Sequence, residues 1–286
     1  MQTRRKWVGD FNANLCQSEE SSSGPDQFLA GVAIVSLALA TISVGGRGTT
    51  ALPSGGPGSQ WPVYHGGFAG SGVAAGSSVF HRASSVWTSH RLRGQIGEPL
   101  VANNEVVAAT KTDSVYAPKS WNGDIRWSRP LRAAVPAGRL SCGDIRPKVC
   151  SSDTRVINSA RSKVFVVADG WAHHAVAHHL VVLDLATGNV LLNEVVDPPG
   201  STPVAQLQRS ALILDNGDVI VASGGNAGDC GTYPEWVVAA PEAGGPIEPF
   251  EVDPTPGNDQ GAVWMGGAAP TSTVREHLVR NENVVP

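Results

Sequence analysis

Charge, aromatic rings and cysteine are all scarce in this sequence, and each shortage closes off a class of function. Only 16% of the 286 residues are charged, with a formal net charge of -4 and a sequence pI of about 6.0. No broad cationic field exists to gather phosphates, which excludes nucleic acid as a partner. The four cysteines include no adjacent pair. Aromatics make up 6% of the chain and apolar residues 41%, enough for one core of useful size. Turn formers are abundant instead: 33 Gly and 20 Pro, a composition that excludes a long-helix protein. The length allows one or two domains, at roughly 100 to 200 residues each, or a single β-rich unit.

One stretch lacks charge altogether. From Phe28 to Val44 the run FLAGVAIVSLALATISV is 17 residues long, the lower limit for crossing a bilayer and slightly long for a signal-peptide core. It has no polar stripe of the kind that a buried core helix shows. The expectation is one transmembrane or signal helix over 28–44, after a polar segment 1–27. The rest of the chain then lies outside the cytoplasm, either membrane-anchored or secreted after cleavage near Ala38-Leu39-Ala40. Residues 45–60 are Gly, Ser, Thr and Pro with almost nothing to bury and read as a flexible tether. The folded part is expected over 61–270, with a tail at 271–286.

Beyond Trp61 the signal is short Val-rich runs. Glu105–Thr110, Lys163–Ala168, Leu180–Leu185 and Asp218–Ser223 are strand-sized. They are broken at Asn103-Asn104, Asn122-Gly123, Asp169-Gly170, Thr187-Gly188 and Asn216-Gly217, pairs that tolerate the positive φ of tight hairpins. The hairpins repeat. Copies starting at Val106, Val164 and Val219 lie 58 and 55 residues apart, slightly longer than the roughly 40 to 50 residues of familiar propeller blades. Each has a strand ending in Ala and a small polar residue, a variable loop, a second strand, a glycine turn and a third short strand.

These copies carry a family resemblance. Val115-Tyr116-Ala117 followed by Gly123 and Trp127, and then VVLDLATGNVLL around Gly188 with Leu192 at the tryptophan position, resemble the repeat of pyrroloquinoline-quinone-type (PQQ-type) β-propellers. Trp61-Pro62-Val63-Tyr64-His65 is similar to the stretch that leads into such propellers, and Trp87 fits the end of an incomplete first blade. The resemblance implies an all-β fold: a β-propeller of roughly four blades, each a four-stranded antiparallel sheet, forming a partial ring from a truncated frame. Trp61, Trp87, Tyr116, Gly123, Trp127 and Gly188 are then structural repeat positions, with each recurring aromatic packing on the adjacent blade.

Enzymes of that family need adjacent cysteines over the quinone, carboxylates on a calcium ion and an aspartate base, and none of these stands as a motif here. The acidic residues sit mostly beside turn glycines, where hairpin chemistry accounts for them. The Gly224–Gly231 loop fails the phosphate-binding spacings. His173, His174, His178 and His179 form the most unusual cluster and could hold zinc or copper, on one helix face or across a hairpin. The plainer expectation is a solvated blade loop, dispensable for folding. Among the cysteines, Cys16 precedes the apolar run, leaving Cys142, Cys150 and Cys230 in an oxidising compartment. Cys142 and Cys230 resemble paired positions in bacterial propellers of this type, and the resemblance implies a bridge between them.

The functional expectation is a non-enzymatic extracytoplasmic platform that presents its loops to a protein, glycan or small-molecule ligand and needs no cofactor. The alternative is a PQQ- or metal-dependent oxidoreductase, with PQQ and calcium implied by the resemblance alone.

Overall fold

A computed structural model describes residues 60–68, 70–73, 87–89, 92, 97–110, 112–149, 154–252, 254, 260, 263, 268–272 and 277–278. The apolar run 28–44, the polar segment before it, nearly all of the tether, Cys16 and Cys150 lie outside the described residues. Among those described, no helix is long and apolar enough to cross a membrane.

The architecture is all-β. Strands β1 (Leu100–Ala102), β2 (Glu105–Thr110), β3 (Ser114–Pro118) and β4 (Ile125–Pro130) form one antiparallel meander. After the short pair β5 (Val135–Pro136) and β6 (Lys148–Val149), a second meander follows: β7 (Val156–Asn158), β8 (Lys163–Ala172), β9 (Ala175–Asp184) and β10 (Val190–Val195). Strand β11 (Gln206–Gln208) pairs with the far end of β13. The third meander is β12 (Ile213–Asp215), β13 (Asp218–Gly225), β14 (Trp236–Pro241) and β15 (Glu248–Glu251). A small pair, β16 (Thr271–Ser272) and β17 (His277–Leu278), closes the order.

The described residues complete three four-stranded blades; the segments expected to supply a further one lie largely outside them. Two further described segments flank these blades. Trp61 pairs with Val101 through both backbone hydrogen bonds, 2.7 and 2.9 Å, so the opening segment extends the first blade. At the other end, Ala211 N–H donates to the Ala268 carbonyl at 2.9 Å, and β16 lies against β12.

Period-two alternation explains why the blades stack. Along β8, Val164, Val166 and Ala168 join Val107, Val115 and Trp127 of the first blade in one core cluster. The intervening Phe165 and Val167 join Leu212, Val219 and Val221 of the third in another. A central strand is thus buried on both faces, and each such Val, Leu or Phe contributes roughly 1.5 to 3 kcal/mol on burial. Outer strands β10 and β15 are mostly exposed.

Turn chemistry sets the registers. Asn103-Asn104 adopts φ of 49° and 65°, and Asn216-Gly217 adopts 48° and 96°, as two-residue hairpins require. The expected break at Asp169-Gly170 is not a turn. Strands β8 and β9 run on in register past it to Ala172↔Ala175, and His173-His174, at φ 51° and 65°, makes the reversal.

Candidate functional site

The blades are locked by an aromatic set on a glycine. Trp127, third in β4, donates its indole N–H to the Leu185 carbonyl at 2.9 Å. Its ring lies over Gly188, where a Cβ would come within 2.4 Å of Cε3. Gly188 has φ +69°, and its turn is held by Asp184, whose Oδ1 accepts from Thr187 N–H at 2.8 Å and Thr187 Oγ1 at 2.6 Å. Trp87 repeats the arrangement one blade earlier, with its N–H on the Ser120 carbonyl at 2.7 Å and its ring over Gly123, also 2.4 Å from a built Cβ. Leu192 takes the corresponding place at Gly244, where its Cδ1 and Glu194 Oε1 both lie 2.8 Å from where a Cβ would stand. Trp61 instead anchors the opening segment through Nε1–H to Glu98 Oε1 at 2.8 Å. Tyr116 sits mid-strand opposite Ser128.

The four histidines do not converge. His173 and His174 form the β8–β9 turn. His178 and His179, one apart on β9, face opposite sides of the sheet. His179 faces Asn193 at 3.0 Å, and burial, with Arg132 nearby, holds its pKa below the usual value. His178 is 5% exposed and lies toward the third blade, so for this residue the solvated-loop expectation is corrected: the strands continue past Gly170 and carry it inside.

A buried charge triad surrounds His178. Its cross-strand partner is Asp169, whose Oδ1 is 3.6 Å from Nε2. Nδ1 meets Asp197 Oδ1 at 2.5 Å, and the His178 backbone N–H donates to Asp197 Oδ2 at 2.8 Å. Burial works against the imidazolium, but Asp197, its hydrogen bond and Asp169 outweigh it and push the pKa up to about 9. Burial raises Asp169 to about 6 against the pull of His178. The sequence concealed this group because Asp169 beside Gly170 reads as hairpin chemistry. The even-numbered alternation Val176, His178, Leu180, Val182 was the available signal.

A cleft opens beside the triad, between the second and third blades. Its empty space, open mouth included, is about 310 Å³. His178, Asp197, Ser201, Gln206 and Ser223 bring polar groups to it, while Val196, Val221 and Val238 form apolar wall. Trp236 also lines it, and its buried indole N–H has no acceptor.

A second cluster lies on the loop after β13. Tyr233, fully buried, donates to Asp229 Oδ1 at 2.6 Å, and burial raises its pKa. Burial, then Asp229, pushes Glu235 up to about 8. Cys142 and Cys230 meet here as free thiols, the Cys230 backbone N–H donating to Cys142 Sγ at 3.1 Å.

At the triad the carboxylates are engaged by His178 and are not free to take up calcium. Both triad carboxylates face an imidazole that is protonated at neutral pH, and a protonated ring is no metal ligand. Among the described residues no three His, Cys, Asp or Glu side chains are grouped to hold a metal ion.

The three stacked meanders are similar to a quinohemoprotein alcohol dehydrogenase from Pseudomonas putida, with a TM-score of 0.52 and 17% identity over 68% of this chain. The fold is that of a β-propeller. The match covers 27% of the length of that enzyme. A quinohemoprotein alcohol dehydrogenase from Comamonas testosteroni aligns with a TM-score of 0.49 and 17% identity, over 67% of this chain and 27% of its own. No protein-family model and no curated protein matches the chain.

Proposed function

We propose that this propeller is a non-enzymatic binding platform acting outside the cytoplasm, anchored through residues 28–44 or released by cleavage there, and that it recognises another polypeptide. Phe250 carries the reading. It is the third residue of β15, the position that Trp127 holds in β4 and Leu192 in β10. Those two side chains seat on the turn glycine of the next blade, whereas Phe250 is 65% exposed. Leaving such a ring in water forfeits roughly 1.5 to 3 kcal/mol, which a covering surface recovers. The purified chain is expected to associate and to bind a dye for exposed apolar surface, and Phe250→Ser to weaken both. A monodisperse chain whose dye binding the substitution leaves unchanged would overturn the recognition surface. Dye-linked oxidation of alcohols or sugars after loading with PQQ and calcium would replace the platform with a dehydrogenase.

Cys142 and Cys230 support the same compartment. The contact of the Cys230 backbone N–H with Cys142 Sγ, across 88 residues, brings the two cysteines where oxidation can join them, and closing so long a loop stabilises by about 4.6 kcal/mol on the chain-entropy model. Protein exported to an oxidising compartment should show a Cys142–Cys230 linked peptide pair by mass spectrometry. Recovery of both as free thiols from such material would remove the bridge.

A further inference from the structure

We infer, resting on the reading that oxidation joins Cys142 and Cys230, that Cys142 is the modification site of the pair. Its sulfur attacks the disulfide of a redox partner and carries the mixed disulfide, and Cys230 resolves it.

The two sulfurs are close together but not equivalent. A Cβ built on Gly228 would lie 3.5 Å from Cys142 Sγ and 3.7 Å from Cys230 Sγ, so one exposed turn residue borders both. Both cysteines are half-buried, within reach of a disulfide from solution. Cys142 Sγ accepts the Cys230 backbone N–H at 3.1 Å. A sulfur that accepts is the one suited to act as thiolate, the form that attacks. The Cys230 thiol is a donor instead, its S–H directed at the Gly228 carbonyl at 3.4 Å. That bond exists only while the thiol keeps its proton. A hydrogen bond to Cys142, then burial, then the charges of Cys142 and Asp229 raise the Cys230 pKa in the same sense.

The loop holds this asymmetry in place. Gln260 Nε2 donates to the Asp229 and Gly231 carbonyls at 3.1 Å each, on either side of Cys230. The Tyr233 hydroxyl holds the Asp229 carboxylate at 2.6 Å. The Cys230 N–H is thereby kept on Cys142 by a braced backbone.

The exchange balances in two steps. The Cys142 thiolate, its proton given to solvent, attacks one sulfur of the oxidant's disulfide, whose S–S bond breaks and whose departing sulfur takes up a proton. The Cys230 thiol then loses its proton and attacks Cys142 Sγ, and the oxidant's second sulfur leaves as a thiol. Two protein thiols are oxidised to one disulfide while one external disulfide is reduced to two thiols.

The test exposes the reduced full chain to oxidised glutathione at neutral pH, with Cys16 and Cys150 replaced by serine throughout. Samples are quenched in acid and read by peptide mass spectrometry. Glutathione is expected on Cys142 in Cys230→Ser about fivefold faster than on Cys230 in Cys142→Ser. With both cysteines present, the adduct should appear briefly on Cys142 and give way to the linked pair. Equal rates in the two variants, or a faster reaction at Cys230, would overturn the order of attack while leaving the bridge intact. A Cys142 adduct that persists with Cys230 present would remove the bridge itself, and the resolving role of Cys230 with it. Should either variant not fold, the transient adduct on the chain with both cysteines decides: on Cys142 it upholds the order, on Cys230 it reverses it.

Discussion

Gly188→Val is expected to be the most destabilising single substitution at a blade interface. Two costs add. At φ +69° a β-branched residue is strained by roughly 1 to 2 kcal/mol. The new Cβ would also stand 2.4 and 2.5 Å from Trp127 Cε3 and Cδ2, distances that force the indole out. Displacing Trp127 breaks its bond to the Leu185 carbonyl and empties its place between the blades, and losing a buried tryptophan costs about 3 to 5 kcal/mol. The sum approaches the whole stability of a domain, about 5 to 15 kcal/mol. A fall in Tm of roughly 8 to 28 °C follows, taking roughly 2 to 4 °C per kcal/mol for a chain of this size. Gly200→Val separates the two costs, because Gly200 has φ +90° and nothing within 4 Å of a built Cβ. It should lose only the backbone part. If both variants melted together, the aromatic on the glycine would not be what locks the blades.

That lock was legible in the sequence, because a docking residue and its turn both leave marks there. Trp127 and Gly188 stand out as the aromatic and the glycine of successive repeats, and the structure joins them at 2.9 Å through the Leu185 carbonyl. The Val-rich run from Lys163 to Ala168 likewise foretold a strand. What it did not reveal is that both faces of β8 are covered, since a run of Val is the same whether one neighbour packs on it or two. The triad was hidden for a different reason. Asp169 and His178 lie nine positions apart and become neighbours only through the β8–β9 register, and that register depends on His173-His174 turning at positive φ, a conformation usually left to Asn and Gly. Asp197 arrives from beyond β10. Trp236 in the cleft was invisible for the same reason, because its wall is assembled from two blades.

The triad makes folding depend on pH and on each of its members. His178→Leu would leave buried Asp169, 2% exposed, and partly exposed Asp197 without their cation, and breaking a buried pair in this way costs about 3 to 5 kcal/mol. A fall in Tm of roughly 10 °C is expected, on the scale of 2 to 4 °C per kcal/mol. The sign of the pH effect follows from the raised pKa values. His178 has a folded pKa of about 9 against an ordinary 6.5, so the fold prefers the protonated ring. Its contribution is complete below pH 6.5 and is lost as pH rises to 9. Asp169, raised from 3.8 to about 6, and Glu235, raised from 4.5 to about 8, also favour the protonated form, and lose their contributions over 3.8 to 6 and 4.5 to 8. All three make the native chain less stable as pH rises. Between pH 8 and 9 His178 contributes most of the remaining change, with Glu235 completing its own titration beside it, and each proton changes stability by about 1.4 kcal/mol per pH unit at most. Denaturant unfolding of the native chain should therefore shift to lower midpoints across that interval, and the shift should shrink in His178→Gln. The ring itself gives a second reading that needs no variant, since its carbon-bound proton should titrate above pH 8 in NMR. A His178 resonance titrating near 6.5 would mean that Asp197 and Asp169 do not hold its charge.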